Sequence, residues 1–144
     1  MIIVRRMEEK DILRAEELEK DNFSEPWSQK AFRETIHLDY AYYFVAEEGE
    51  SVIGICGLRN IAGEGEITNV VVDKNYRKQG IAEMLLEKAL DEGRMHGIEA
   101  FTLEVRAGNE PAIRLYKKLG FESEGIRKNF YEMPKEDALI MWKR

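Results

Sequence analysis

With one cysteine in 144 residues, the chain has no disulfide to hold it together. Cys56 sits in the apolar run VIGICGL and reads as a small buried thiol in a reducing compartment. Histidine is nearly as scarce. His37 and His96 stand alone, without the spacing of a zinc site, so no metal is expected. No apolar run approaches the ~20 residues of a membrane-spanning helix, and the stretch MIIVRRMEEKD is too weakly apolar for a signal peptide. The expectation is a cytoplasmic protein with no membrane partner. An excess of positive charge is also missing: 28 acidic residues against 22 basic give a formal charge of −6. That balance weighs against a nucleic-acid partner, because such binding rests largely on neutralising phosphates. It leaves room for a local basic site. There is no internal repeat, low-complexity tract or linker, and the length suits one domain over residues 1–144.

What is present alternates. IIVRR reads as a short strand, and EEKDILRAEELEK as a helix with Ile12, Leu13, Ala15 and Leu18 on its apolar side. FSEPWSQKAFRETI is a loop leading into a second helix, which Ser28 is placed to cap. AYYFVAEE and SVIGICGLR are strands around the turn EGES. GEITNVVVD is another strand, and its VVV run predicts burial on both faces. A helix from Gly80, the strand EAFTLEVR, the helix PAIRLYKKL and two late strands complete the chain. This is a mixed α/β or α+β domain.

The stretch NYRKQGIAEMLLEKAL sets Arg77, Lys78 and a glycine in front of an amphipathic helix. Ala82, Leu85, Leu86, Ala89 and Gly93 follow the 3–4 spacing of one face, and Gly97 is a plausible stop. The first N–H groups of a helix lack intrahelical partners, and the helix dipole favours negative charge there. Gly80 removes the Cβ that would obstruct a ligand at that backbone. A phosphate or pyrophosphate suits such a place, although a flexible entry turn would explain the glycine equally well. The loop has neither the GxxxxGK[ST] pattern of a P-loop nor the three-glycine fingerprint of a dinucleotide fold.

RKQGIA, directly after ITNVVVDKNY, resembles the acetyl-CoA-binding motif [Q/R]-x-x-G-x-[G/A] of the GNAT superfamily of N-acetyltransferases, with Arg77, Gly80 and Ala82 at its fixed positions. FSEPWS, LEVRAGNEPAIRLYKKLGF and IRKNFY…EDALIM extend the resemblance along nearly the whole chain, in order, to the branch that acetylates the N-terminal alanine of a ribosomal small-subunit protein. The resemblance implies a central mixed, mostly antiparallel twisted sheet of about six to seven strands flanked by about four helices. It implies acetyl-CoA as cosubstrate. The backbone of Lys78, Gln79, Gly80, Ile81, Ala82 and Glu83 would surround its pyrophosphate, and Val70, Val71 and Val72 would pair with its pantetheine arm. It also gives Asn109 a cofactor contact, although the residue would serve equally as the cap of the helix that follows.

In FTLEVRA, alternation puts Thr102, Glu104 and Arg106 on one face and Phe101, Leu103 and Val105 on the other. Taken alone, Glu104 is an ordinary surface acid; the resemblance makes it the general base. Tyr116 reads as an aromatic core contact, and by resemblance as the general acid that protonates the departing thiolate. Phe23, Pro26 and Trp27 would form one wall of a peptide groove and Tyr131 another, unless Phe23 and Trp27 only anchor their loop. The implied partner is the N-terminus of a protein. At pH 7 an α-amine is about 15% neutral and a lysine about 0.04%, so a weak base suits the former. Two alternatives stay open: a broad N-terminal, lysine or small-amine acetyltransferase, and a non-catalytic acetyl-CoA-binding module.

Overall fold

A computed structural model covers residues 1–144. The chain runs through β1 (Ile2–Arg6), a 3-10 turn (Glu9–Asp11), α1 (Ile12–Asn22), α2 (Gln29–Ile36), β2 (Ala41–Glu48), β3 (Ser51–Ile61) and β4 (Glu64–Val72). After a second 3-10 turn (Lys74–Tyr76) come α3 (Ile81–Met95), β5 (Ala100–Arg106), α4 (Glu110–Lys118), β6 (Glu122–Glu132) and β7 (Lys135–Lys143). The strands form one seven-stranded sheet in the order β1-β2-β3-β4-β5-β7-β6. Every pairing is antiparallel except β4 with β5. No helix is long and apolar enough to cross a membrane.

Strand alternation builds two cores, one on each face of the sheet. Tyr42, Phe44 and Ala46 of β2 point towards α3 and α4, whereas Ala41, Tyr43 and Val45 point towards α1 and α2. In α1 the buried stripe is Ile12, Ala15, Leu18 and Glu19. Leu13, expected on that stripe, is 61% exposed, because it sits about 100° round the helix from Ile12. Ser28 caps α2, its Oγ accepting from the Ala31 N–H at 3.1 Å. In α3, Leu85, Leu86, Ala89 and Gly93 are buried as their spacing predicts. A Cβ on Gly93 would lie 2.7 Å from the Phe101 ring, so glycine lets α3 approach β5.

Two departures from regular pairing shape the molecule's centre. Gly57 pairs with Thr68 and Ile55 with Val71, so two residues of β4, Asn69 and Val70, oppose Cys56 alone. Asn69 takes this bulge in the left-handed region, with φ 53°. The extra residue reverses the strand's facing: Ile67 joins the core beneath α3, and Val71 the core beneath α1. In addition, β4 and β5 pair only over Glu64–Glu66 and Ala100–Thr102. Beyond Glu66, β4 has no strand beside it on that side. The VVV run is therefore not buried on both faces: Val71 is buried, but Val70 and Val72 are half-buried beside the gap.

Gly57, opposite the bulge, keeps the Tyr43 ring in place. A Cβ there would fall 2.4 Å from Tyr43 Cζ and 2.5 Å from Thr68 Oγ1. Gly57→Ala is expected to displace the ring at a cost of about 1–3 kcal/mol, lowering the melting temperature by about 3–10 °C. Thermal denaturation checks this, and an unchanged midpoint would mean that Tyr43 has room to move.

Candidate active site

The gap between the diverging ends of β4 and β5 is the mouth of a cleft of about 540 Å³. The chain segment after α1, the β4 bulge, the end of β5, the start of α4 and the β6–β7 turn all line it. Phe23, Trp27, Val70, Glu104, Asn109, Tyr116 and Tyr131, separate in the sequence, meet in this one place.

Glu104 arrives by alternation along β5, whose Phe101, Leu103 and Val105 are buried in the core. Its side chain is 27% exposed, but Oε2 is out of water and accepts no hydrogen bond. The Arg127 guanidinium approaches that oxygen, Nε at 3.4 Å, without hydrogen-bond geometry. A buried acceptor with no donor directed at it is costly and suits a donor that comes with the substrate. Tyr116 is buried, its ring edge-on to Phe121 at 6.0 Å between centroids. Burial pushes its phenol well above the ordinary value, and neighbouring Cys56 and Tyr131 add to the shift. Tyr116 therefore stays protonated throughout the neutral range.

The remaining expected residues divide. Asn109 does cap α4, its Oδ1 accepting from Ala112 N–H at 3.3 Å, and it also lines the cleft. Trp27 stacks on Tyr43 at 5.9 Å and packs on Phe32 at 5.2 Å, so it is both anchor and wall. Phe23 is exposed at the cleft edge. Pro26 is exposed and is not part of the cleft wall. Tyr131 is half-buried beneath the Arg106 guanidinium, 4.3 Å from its ring centre. Arg106 also donates to the carbonyls of Pro134 (2.8 Å) and Met133 (3.3 Å) and pairs with Glu136 at 3.3 Å. It thereby pins the β6–β7 turn to the end of β5.

At the N-terminus of α3, Gly80 adopts φ 75°, with open space where a Cβ would point. The backbone N–H groups of Lys78, Gln79, Gly80, Ile81, Ala82 and Glu83 have no acceptor within the protein. Six unpaired donors in succession, at the positive end of a 15-residue helix, fit an anion such as a pyrophosphate. The side chains contribute less. Ile81 is buried, Arg77 donates to Asn22 Oδ1 at 2.6 Å, and Glu83 pairs with Lys118 at 2.8 Å, which holds its carboxyl below the usual range.

Sequence reasoning missed a polar cluster on the β4 side of the cleft. Glu19, 1% exposed, accepts from the Trp27 N–H at 3.0 Å and from Asn69 Nδ2 at 3.3 Å. Tyr43 Oη lies 2.7 Å from Thr68 Oγ1 and donates to Asn69 Oδ1 at 3.0 Å. One signal was visible: Glu19 stands four residues after Ala15, a charge on the apolar stripe of α1.

An unpaired helix N-terminus and an open strand edge thus lie beside a cleft that holds a carboxylate and a buried phenol, an arrangement open to an anionic ligand. The chain belongs to the Acetyltransferase (GNAT) family, whose sequence model matches residues 12–121. It is an N-acetyltransferase, and enzymes of this family use acetyl-CoA. A putative [ribosomal protein bS18]-alanine N-acetyltransferase of Bacillus subtilis is 39% identical over 140 residues, 96% of this chain and 93% of the relative. The [ribosomal protein bS18]-alanine N-acetyltransferase of Escherichia coli K12 is 33% identical over 98% of this chain and 96% of its own length. The crystal structure of the ribosomal-protein-S18-alanine N-acetyltransferase from Escherichia coli superposes with a TM-score of 0.90, covering 99% of this chain and 93% of that one at 32% identity. The mixed, mostly antiparallel seven-stranded sheet with four α-helices agrees with the expected fold.

Proposed function

We propose that residues 1–144 act as one domain that moves an acetyl group from acetyl-CoA to the N-terminal α-amine of a protein. The alanine of ribosomal protein bS18, named for the relatives, is the proposed acceptor. The observation that carries this reading is one cleft holding both Glu104, with its unsatisfied buried Oε2, and Tyr116, held protonated by burial.

The N–H groups from Lys78 to Glu83 bind the pyrophosphate, and the unpaired side of β4 at Val70–Val72 takes the pantetheine arm as an added strand would. Bound acetyl-CoA supplies an activated thioester carbonyl. Glu104 accepts the proton of the attacking amine, directly or through one water. Tyr116 donates its proton to the departing sulfur. Cys56 takes no part: burial pushes its thiol up to about 12, which keeps it from acting as a nucleophile. Phe23, Trp27 and Tyr131 flank the incoming peptide.

The test is acetyl transfer to a peptide copying the N-terminus of the host's own bS18, run beside the α-blocked peptide, a lysine-bearing control and spermidine. Transfer confined to the free α-amine is expected. Equal transfer to the blocked peptide, the control or spermidine would replace this reading with that of a broad or small-amine acetyltransferase. Tight acetyl-CoA binding with no transfer to any acceptor would favour a binding module.

A further inference from the structure

Glu19 lies outside the acid–base pair, yet it is the most deeply buried carboxylate in the cleft. No Lys, Arg or His pairs with it; its partners are the Trp27 N–H and Asn69 Nδ2. A buried charge without a counter-ion is costly, and an apolar residue here would simply complete the stripe of Ile12, Ala15 and Leu18. Burial pushes the carboxyl above the usual range, against the pull of those two hydrogen bonds. The two donors belong to different parts of the site. Trp27 is in the aromatic loop that walls the acceptor side, and Asn69 is the left-handed residue of the β4 bulge, which follows the last pair of β4 with β5.

We infer that Glu19 is a positioning residue for the transfer: through Trp27 and Asn69 it holds the acceptor-side loop and the donor-side bulge of β4 in one fixed relation. The inference rests on the acetyl-transfer reading above. Chain geometry explains why a carboxylate is required. Asn69 Oδ1 is occupied by the Tyr43 hydroxyl, so its amide must present Nδ2 to position 19. The loop presents another N–H. Two donors converging from separate elements need an acceptor with two oxygens, and an ionised carboxylate provides both without a donor of its own.

Reversing polarity tests this. Asn69→Asp sets two carboxylates against each other while keeping the side-chain shape, and aspartate tolerates left-handed backbone much as asparagine does. Its kcat/KM for the free-amine peptide is expected to fall about 30-fold, with acetyl-CoA binding by calorimetry within about threefold of the parent. Adding Glu19→Gln to that variant restores a matched pair. The amide introduced at position 19 donates to the carboxylate at 69, whose other oxygen still accepts from Tyr43. The double variant is expected to recover to within about threefold of the parent. A double variant no better than Asn69→Asp overturns the inference, as does an Asn69→Asp enzyme with lowered melting temperature but parental kcat/KM, which would leave Glu19 a purely structural role. A parent enzyme that acetylates no peptide overturns the transfer reading itself and is told apart by that control.

Discussion

With Tyr116 as the proposed general acid, Tyr116→Phe is expected to lower kcat by about 100-fold or more while acetyl-CoA binds as tightly as before. The variant keeps the ring that packs against Phe121 and removes only the hydroxyl, so stability changes little. An amine can still attack, but the thiolate must leave without a proton or wait for one from water. Burial has two effects on this step. It raises the phenol above about 10, making it a still poorer acid relative to a thiol of about 8.5. The same dry surroundings raise the basicity of a thiolate forming there, so the mismatch between the two stays small. Because the phenol's pKa is raised, its proton is retained as pH climbs through the ordinary tyrosine range. The parent enzyme's kcat is accordingly expected to hold level up to about pH 10. Single-turnover rates and a pH series check both points. A variant within about threefold of the parent would mean that another group or water delivers the proton.

Glu104→Gln is expected to cost 10²–10⁴-fold in kcat/KM at about pH 7. The substitution preserves size and the hydrogen-bonded position on β5 but removes the proton acceptor. What remains should depend on amine that is already neutral in solution, so the residual rate should climb with pH through about 7.8, the α-amine's own pKa. The deficit is therefore largest in acid and shrinks in alkali. Arg127 offers a control: it loses its ionic neighbour in this variant, and Arg127→Gln alone, which keeps the proposed base, should not show that alkaline recovery. Equal losses at every pH would assign Glu104 to binding the acceptor instead of deprotonating it.

Most elements were legible because their periods are local. The face of α3, the alternation of β5 that presents Glu104, and the Ser28 cap each depend on residues a few positions apart. The β4 bulge was not legible, since TNVVV reads as a plain strand until it is laid beside β3 and two residues are found opposite Cys56. That register decides which valines are covered, and so the expected double burial failed. Glu19 was passed over, because a charge on a helix usually marks its wet face. Its two donors lie 8 and 50 residues away in the chain. The Arg106–Tyr131 contact likewise depends on β7 lying between β5 and β6, which no single segment reveals.

The row of unpaired N–H groups from Lys78 to Glu83 also bears on how such a protein can diverge. Every residue except proline carries an N–H, so a site made of them depends on the path of the chain and hardly on its spelling. Position 79 can then vary widely without altering what the proposed site binds, provided Lys78 and Gly80 keep their left-handed turns and position 82 keeps the small residue of the motif. Selection on the acceptor can meanwhile act on Phe23, Trp27 and Tyr131, whose side chains are the proposed contact. Donor and acceptor recognition are thus recorded in different parts of the molecule, and one can drift towards new substrates while the other stays fixed.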